Sequence, residues 1–393
     1  MATYKKSEIF IKNRNFACLL PAKFLASPSL QRTPSMSRFV SFFCALAAFA
    51  LLPAVSWGVE TDPVGFTTAA CPANSDTFVS VPFTRVPEFT GAISSVAGNV
   101  ITVSGSPGWT TSPQQWVYNT TSHKTYFALI GPHSSTNPNE GRQYLITASG
   151  SNTLTVDLAG DSISGVQSTT QILIVPYHTF ASVFPASDAN VSFIPSPSAF
   201  NRQTQILIPN YSGSGINLSA AATYYFFNNA WRKFGSPTTE DHGDDTLLTD
   251  GYFILRNAAT GTNLTALGSV LVKKETIPLF TRTSSAQDNF VSVTRPLDVS
   301  LDNLGLISSG AFASSPSPFN RIDQLFVFNN AATGINKSAS GTYYYFNSHW
   351  RKFGQASTID FGTDTIAAGT GFVIRKGATA TGAAQFWTNT PTY

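Results

Sequence analysis

Two acidic turns are the places where this chain carries groups that could do chemistry. Thr238–Thr246 reads TTEDHGDDT and Ser357–Thr365 reads STIDFGTDT. Each sets a pair of aspartates on one short loop, Asp241 with Asp245 and Asp360 with Asp364, and such oxygens suit Ca²⁺, a hard cation. Neither turn has the full alternating-acid pattern of a calcium loop. Asp and Gly also close ordinary turns, so turn formation alone is the competing reading. A second candidate is aromatic. Tyr224 and Trp231 lie in TYYFFNNAWRKFG (223–235), and Tyr343 and Trp350 in TYYYFNSHWRKFG (342–354). These rings could stack on the faces of sugars, or they could fill the cores of sheets.

Other chemistry is poorly represented. The five histidines (His123, His133, His178, His242, His349) are scattered, without a pair at metal-ligand spacing. There is no G-x-S-x-G elbow, H-E-x-x-H pair or P-loop. No catalytic residue is assigned, and Ca²⁺ is the one cofactor the pattern admits. Glycoside hydrolysis needs only two well-placed carboxylates, so a glycan-active enzyme stands as a third reading.

The elements that must position these groups are strands. Charged residues make up only 11% of the chain, while Thr, Ser, Asn, Gly and Phe are abundant. Long solvated helices need Glu, Lys, Ala and Leu; β-branched and aromatic residues fit a pleated surface, and Asn and Gly close turns. No long apolar stripe of helical period follows residue 59, which predicts an all-β fold. The formal net charge of +3 is concentrated at the start: seven of the 24 Lys and Arg precede residue 59, with one acid, and the remainder has three more acids than bases. Such a body has no phosphate-neutralising surface, which argues against nucleic acid as a partner.

Met36–Gly58 reads MSRFVSFFCALAAFALLPAVSWG. Arg38 gives a basic start, Phe39–Leu52 an apolar run too short for a stable span, and Ser56 and Gly58 the small residues of a cleavage site. Residues 1–58 are therefore read as an export signal with Met36 as a candidate true start, and the mature protein as extracytoplasmic, in the periplasm or on the cell surface. No second long apolar stretch follows, so no transmembrane helix is expected after signal removal. Cleavage leaves Cys71 as the one cysteine, expected as a quiet buried thiol.

Two segments align without gaps at an offset of 119 residues. Phe200-Asn201-Arg202 matches Phe319-Asn320-Arg321, Gly215-Ile216-Asn217 matches Gly334-Ile335-Asn336, and the two aromatic runs match each other. Further upstream DTFVSV (76–81) matches DNFVSV (288–293), at an offset of 212; the difference of 93 residues measures an insertion confined to the first copy. The expected architecture is two homologous β-sandwich or barrel-like units from an internal duplication, the first at 61–86 plus 176–275 and the second at 276–393. A small β-barrel-like domain at 87–175 interrupts the first. Within that insert, GAISSVAGNVITVSG (91–105) and YLITASGSNTLTVDLAG (144–160) alternate around Gly-Asn and Ser-Asn turns and read as hairpins. In each unit, the Arg-Lys pair after the tryptophan is expected to project from a strand edge. Arg202, Arg256 and their copies are expected to pair with the acidic turns.

TDPVGF (61–66), NSDTFVSVPF (74–83), GAISSVAGNVITVSGSPGWT (91–110) and the twice-used YY-F-N-x-x-WRKFG occur in an order that resembles a family of secreted β-rich proteins found mainly in verrucomicrobial genomes. The resemblance covers Thr61 to Tyr393, and the leading residues 1–35 depart from it. It implies an exported bacterial protein and carries over no catalytic residue, since none is assigned in the family. Together these readings point to a secreted, non-catalytic structural or adhesive protein of the cell surface or extracellular matrix, with itself or a cell-surface polysaccharide as partner and the inserted domain projecting as a contact surface. The alternative is a polysaccharide-binding protein that uses its aromatic hairpins.

Overall fold

Asparagine and serine turn the chain in the two aromatic hairpins. Asn228 and Asn229 (φ 51° and 56°) and Asn347 and Ser348 (φ 52° and 60°) lie in the left-handed region, the backbone of a two-residue turn whose twist matches its strands. Ala222–Phe227 thereby pairs with Ala230–Lys233, and Gly341–Phe346 with His349–Lys352. These strands belong to a computed structural model that describes residues 63–391. The export signal assigned to 1–58, with Met36, lies outside the described residues.

The chain is all-β. Each hairpin forms one side of a five-stranded antiparallel sheet. The first runs in the order Ala230–Lys233, Ala222–Phe227, Thr204–Ile208, Phe253–Asn257, Ser75–Val79. The second runs His349–Lys352, Gly341–Phe346, Gln324–Val327, Phe372–Lys376, Gln287–Val291, the same order. Cross-strand neighbours correspond as well: Tyr225 faces Arg232 as Tyr344 faces Arg351, and Arg256 faces Asp76 as Arg375 faces Asp288. A two-stranded ribbon accompanies each sheet, Val64–Cys71 with Thr262–Ser269 and Glu275–Leu279 with Gln385–Asn389. One apolar core gathers Phe83, Phe180, Phe184, Phe193, Ile206 and Trp231; the other gathers Leu279, Leu304, Leu325, Trp350, Phe372 and Trp387. Cys71 lies in the first, where burial pushes its thiol up to about 11, so it stays protonated at neutral pH.

Between Ser75–Val79 and His178 the chain makes a closed six-stranded barrel, in the order Phe89–Ala97, Val100–Val103, Thr153–Val156, Gln143–Ser149, Tyr126–Ile130, Gln171–Pro176. Both hairpins expected from the Gly-Asn and Ser-Asn turns are present in it. Ile93, Ile101, Ile146, Leu154, Ile172 and Ile174 fill it together with Trp109 and Trp116, and closure leaves no free sheet edge to cover. The barrel does not simply project, as the sequence reading had it. On one side Thr276 donates its N–H to the Gly141 carbonyl at 3.0 Å and Lys274 pairs with Glu140 at 2.9 Å. On another, the Asp244 carboxylate accepts from the Tyr118 hydroxyl at 3.0 Å and lies 2.6 Å from His123 Nδ1. Both sheets' units therefore hold it.

Candidate functional site

The structure spends the sequence's candidate residues on folding. Trp231 is 2% exposed and Trp350 0%, and Tyr224 and Tyr343 are 5% each. Trp231 packs against Phe180, Phe184, Phe193 and Phe226 and donates its indole N–H to the Phe184 carbonyl at 3.1 Å. None of the four rings offers a free face for a sugar. Of the two readings the sequence left open for these rings, stacking platform or sheet core, the burial is that of core.

The acidic turns are likewise engaged. Asp241 accepts the Gly243 N–H at 2.9 Å, and Asp360 accepts the Gly362 N–H at 3.0 Å, each closing its own loop. Asp245 accepts from the Tyr224 hydroxyl at 2.7 Å, and Asp364 from the Tyr343 hydroxyl at 2.6 Å, tying each turn to its hairpin. Desolvation, then the carboxylate hydrogen bond, raises both tyrosine hydroxyls above their ordinary value, so they remain donors. Among the described residues no group of three or more His, Cys, Asp or Glu side chains is placed to hold a metal ion.

The arginines depart from expectation in an informative way. Arg256 and Arg375 do not reach the acidic turns. Each forms a two-bond pair with the aspartate beside it on the neighbouring strand, Arg256 with Asp76 at 2.6 and 2.8 Å and Arg375 with Asp288 at 2.7 and 2.9 Å. The Gly-Ile-Asn loop of the other unit then caps each pair. Asn336 N–H donates to Asp76 Oδ2 and Asn217 N–H to Asp288 Oδ2, both at 2.7 Å. Arg256 donates to the side-chain Oδ1 of Asn336 at 2.8 Å and Arg375 to that of Asn217 at 2.9 Å. Asp76 and Asp288 each donate a backbone N–H to the glycine opening the opposing loop, Gly334 and Gly215, both at 2.9 Å. Those glycines stand at φ 132° and 117°, a conformation other residues rarely adopt, which is why both loops use Gly. The contact is reciprocal, the arrangement a two-fold interface produces, here within one chain. Near its centre equivalence must fail: Tyr252 occupies the space beside its counterpart Gly371, where any Cβ would fall inside the tyrosine ring.

Arg232 and Arg351 also differ from the expected edge-projecting role. Ala230–Lys233 is indeed an edge strand, but Arg232 is 6% exposed and donates to the carbonyls of Phe227 at 3.2 Å and Glu240 at 2.7 Å. It pins the turn from beneath.

What both units leave in solvent is a different set. Phe200 is 96% exposed and Phe319 93%, while Phe234 and Phe353 are 62% and 60% exposed. The Ser198 hydroxyl accepts the Asn201 N–H at 3.0 Å and the Ser317 hydroxyl the Asn320 N–H at 3.1 Å, so each phenylalanine rides on a closed turn. Arg202 then folds back to donate to the Ala199 carbonyl at 2.9 Å, and Arg321 to that of Pro318 at 2.6 Å. The Arg202 guanidinium lies 5.6 Å from the Tyr225 ring centre and 4.7 Å from that of Phe234; for Arg321 over Tyr344 and Phe353 the distances are 5.7 and 4.6 Å. Cation–π contacts of this kind hold the Phe234 and Phe353 rings in place. The sequence reading gave Arg202 and Arg321 to the acidic turns, which they do not reach, and assigned Phe200 and Phe319 no role. The available signal was identity between copies; what was lacking was knowledge that the position is bare.

Among the concavities, a shallow one of about 370 Å³ lies at one end of the barrel, lined by Asn99, Thr147, Val156, Asp157 and Gly160. Its one carboxylate, Asp157, closes the turn by accepting the Ala159 N–H at 2.9 Å. No protein-family model matches this chain, and neither does any curated protein or solved structure in the comparisons made.

Proposed function

We propose that this is an exported, non-catalytic structural or adhesive protein of the cell surface or extracellular matrix, and that it makes contact through two equivalent aromatic platforms, Phe200 with Phe234 and Phe319 with Phe353. The observation that carries the reading is the retention of the same nearly bare phenylalanine in both copies. A large apolar ring in water contributes little to folding, so a folding requirement does not account for keeping it twice. A duplicated unit would give the protein two copies of one contact, and two weak contacts on one body bind together more tightly than either alone.

Polysaccharide binding is the second reading, moved from the buried tryptophans to these platforms. Asn201 and Arg202 supply polar groups beside ring faces, the combination that sugar recognition uses. Retention on the producing cells and on insoluble polysaccharides tests both. The expected result is retention that falls about tenfold or more in the F200A/F319A double variant, which removes both rings and with them the paired contact. Undiminished retention of that folded variant would remove the platforms from the reading.

A further inference from the structure

The second unit buries a lysine against an aspartate. Lys376 ends the strand Phe372–Lys376, Asp323 immediately precedes Gln324–Val327, and these strands are antiparallel neighbours, with Gln324 opposite Arg375. The Lys376 side chain is 1% exposed and that of Asp323 2%. The ammonium nitrogen is in direct contact with Asp323 Oδ2 and donates to the Ala311 carbonyl at 2.6 Å, which fixes its direction. Both carboxylate oxygens accept backbone N–H groups, Oδ1 from Gly377 at 2.8 Å and Oδ2 from Ala313 at 2.6 Å. Phe312, itself 4% exposed, lies over the amine with its ring centre 5.7 Å away. This is a dry, closed site holding a nucleophile against a carboxyl group whose oxygens are already polarised.

We propose that Lys376 and Asp323 condense to an intramolecular amide, cross-linking two adjacent strands of the second unit. The step begins with a proton passing from the ammonium to the carboxylate it touches, which gives the neutral amine and neutral acid that condensation requires. Desolvation lowers the Lys376 pKa, in the direction this step needs. The Nζ lone pair attacks Asp323 Cγ, and negative charge develops on the carbonyl oxygen, where a backbone N–H already points. The Cγ–OH bond breaks; the hydroxyl leaves with a proton from Nζ as water. One ammonium and one carboxylate thus become one amide and one water, with no external reactant. The preorganised contact replaces the bimolecular encounter that makes such a condensation slow in solution.

The first unit supplies an internal control. The counterparts of Asp323 and Lys376 are Thr204 and Asn257, buried and joined by a hydroxyl-to-amide hydrogen bond of 2.8 Å. A threonine and an asparagine cannot condense in this way.

Tryptic mapping of the denatured full chain decides the matter. An amide removes the cleavage site after Lys376, and Ile322–Lys337 appears joined to Lys376–Tyr393, lighter than the sum of the two by one water. In the D323T/K376N variant, which installs the first unit's neutral pair and keeps the site filled, the branched peptide is absent and Ile322–Lys337 runs free. Recovery of free Gly377–Tyr393 and free Ile322–Lys337 in stoichiometric yield from the wild-type chain would overturn the proposal and leave a buried ion pair.

Discussion

Thr204 with Asn257 in the first unit and Asp323 with Lys376 in the second occupy the same two places on equivalent strands, yet one pair is neutral and the other charged. The two sheets share strand order and register, so the backbone does not demand either solution. What it does demand is a satisfied polar pair at that buried spot. A neutral pair meets the demand cheaply, while an ion pair meets it only because backbone N–H and C=O groups complete its hydrogen bonding. A second difference follows the same logic. Glu275, at the start of its ribbon strand, is 2% exposed, whereas its counterpart in the first unit is the exposed Pro63. At these two places the second sheet and its ribbon bury ionisable groups where the first has neutral ones, although both sheets bury the arginine-paired aspartates Asp76 and Asp288.

The largest expected contrast comes from breaking these equivalent pairs. Lys376→Ala strands an unpaired carboxylate in the core and is expected to cost about 3–5 kcal/mol. Asn257→Ala loses neutral hydrogen bonds and is expected to cost about 1–3 kcal/mol. Denaturant melts of the two variants check this, and equal losses would dissolve the contrast. The reciprocal contact through Asp76 and Asp288 should behave in the opposite way. Asp76→Ala and Asp288→Ala each remove a buried carboxylate from an arginine and a capping loop, at an expected cost of about 3 kcal/mol each. Because the geometry is reciprocal, the two losses should agree within about 1 kcal/mol in chemical denaturation, at the low end of the 0.5–3 kcal/mol by which coupled neighbours depart from additivity. A loss at one site only would show that the reciprocity is geometric and not energetic.

Glu275 gives a pH test. Burial, only partly offset by hydrogen bonds from Thr294, raises its carboxyl to about 7. Its folded pKa thus lies above the unfolded value, and the folded chain binds more protons between roughly pH 4.5 and 7. Stability from this group is highest in acid and falls as pH rises through that window. Glu275→Gln is therefore expected to stabilise by up to about 3 kcal/mol at pH 8 and to change little near pH 4. Thermal melts across that range measure the difference between variant and wild type, which must widen with pH if the carboxyl is responsible. The smallest effect is expected at the platforms: Phe200→Ala and Phe319→Ala should each leave stability within about 0.5 kcal/mol, because the rings touch water on nearly every side.

Much of the fold was legible because its signals are local. Asn228-Asn229 and Asn347-Ser348 announce tight turns by residue type, and alternation around Gly98-Asn99 and Ser151-Asn152 announces two barrel hairpins. The shift of offset between DTFVSV and the later identities falls where the barrel lies. The candidate site was read less well. Tyr224, Trp231, Tyr343 and Trp350 were placed in the right hairpins, but nothing along a strand says which of its faces another sheet, loop or helix will cover. Arg256 and Arg375 were singled out as shared, and their partners were missed, because Asp76 lies 180 residues from Arg256 in the chain.

By itself, the sequence determined the all-β class, the turns, the pairing within hairpins and the correspondence between the two halves. Each of these depends on backbone preferences and side-chain alternation over a few residues, or on identity between copies. Only the tertiary structure decided that Trp231 and Trp350 are core while Phe200 and Phe319 are surface, that Asp76 and Asp288 close a reciprocal contact, and that Lys376 is sealed against Asp323. Those outcomes depend on burial and on contacts between residues far apart in the chain, and water exclusion is a property of the assembled fold, not of any segment in it.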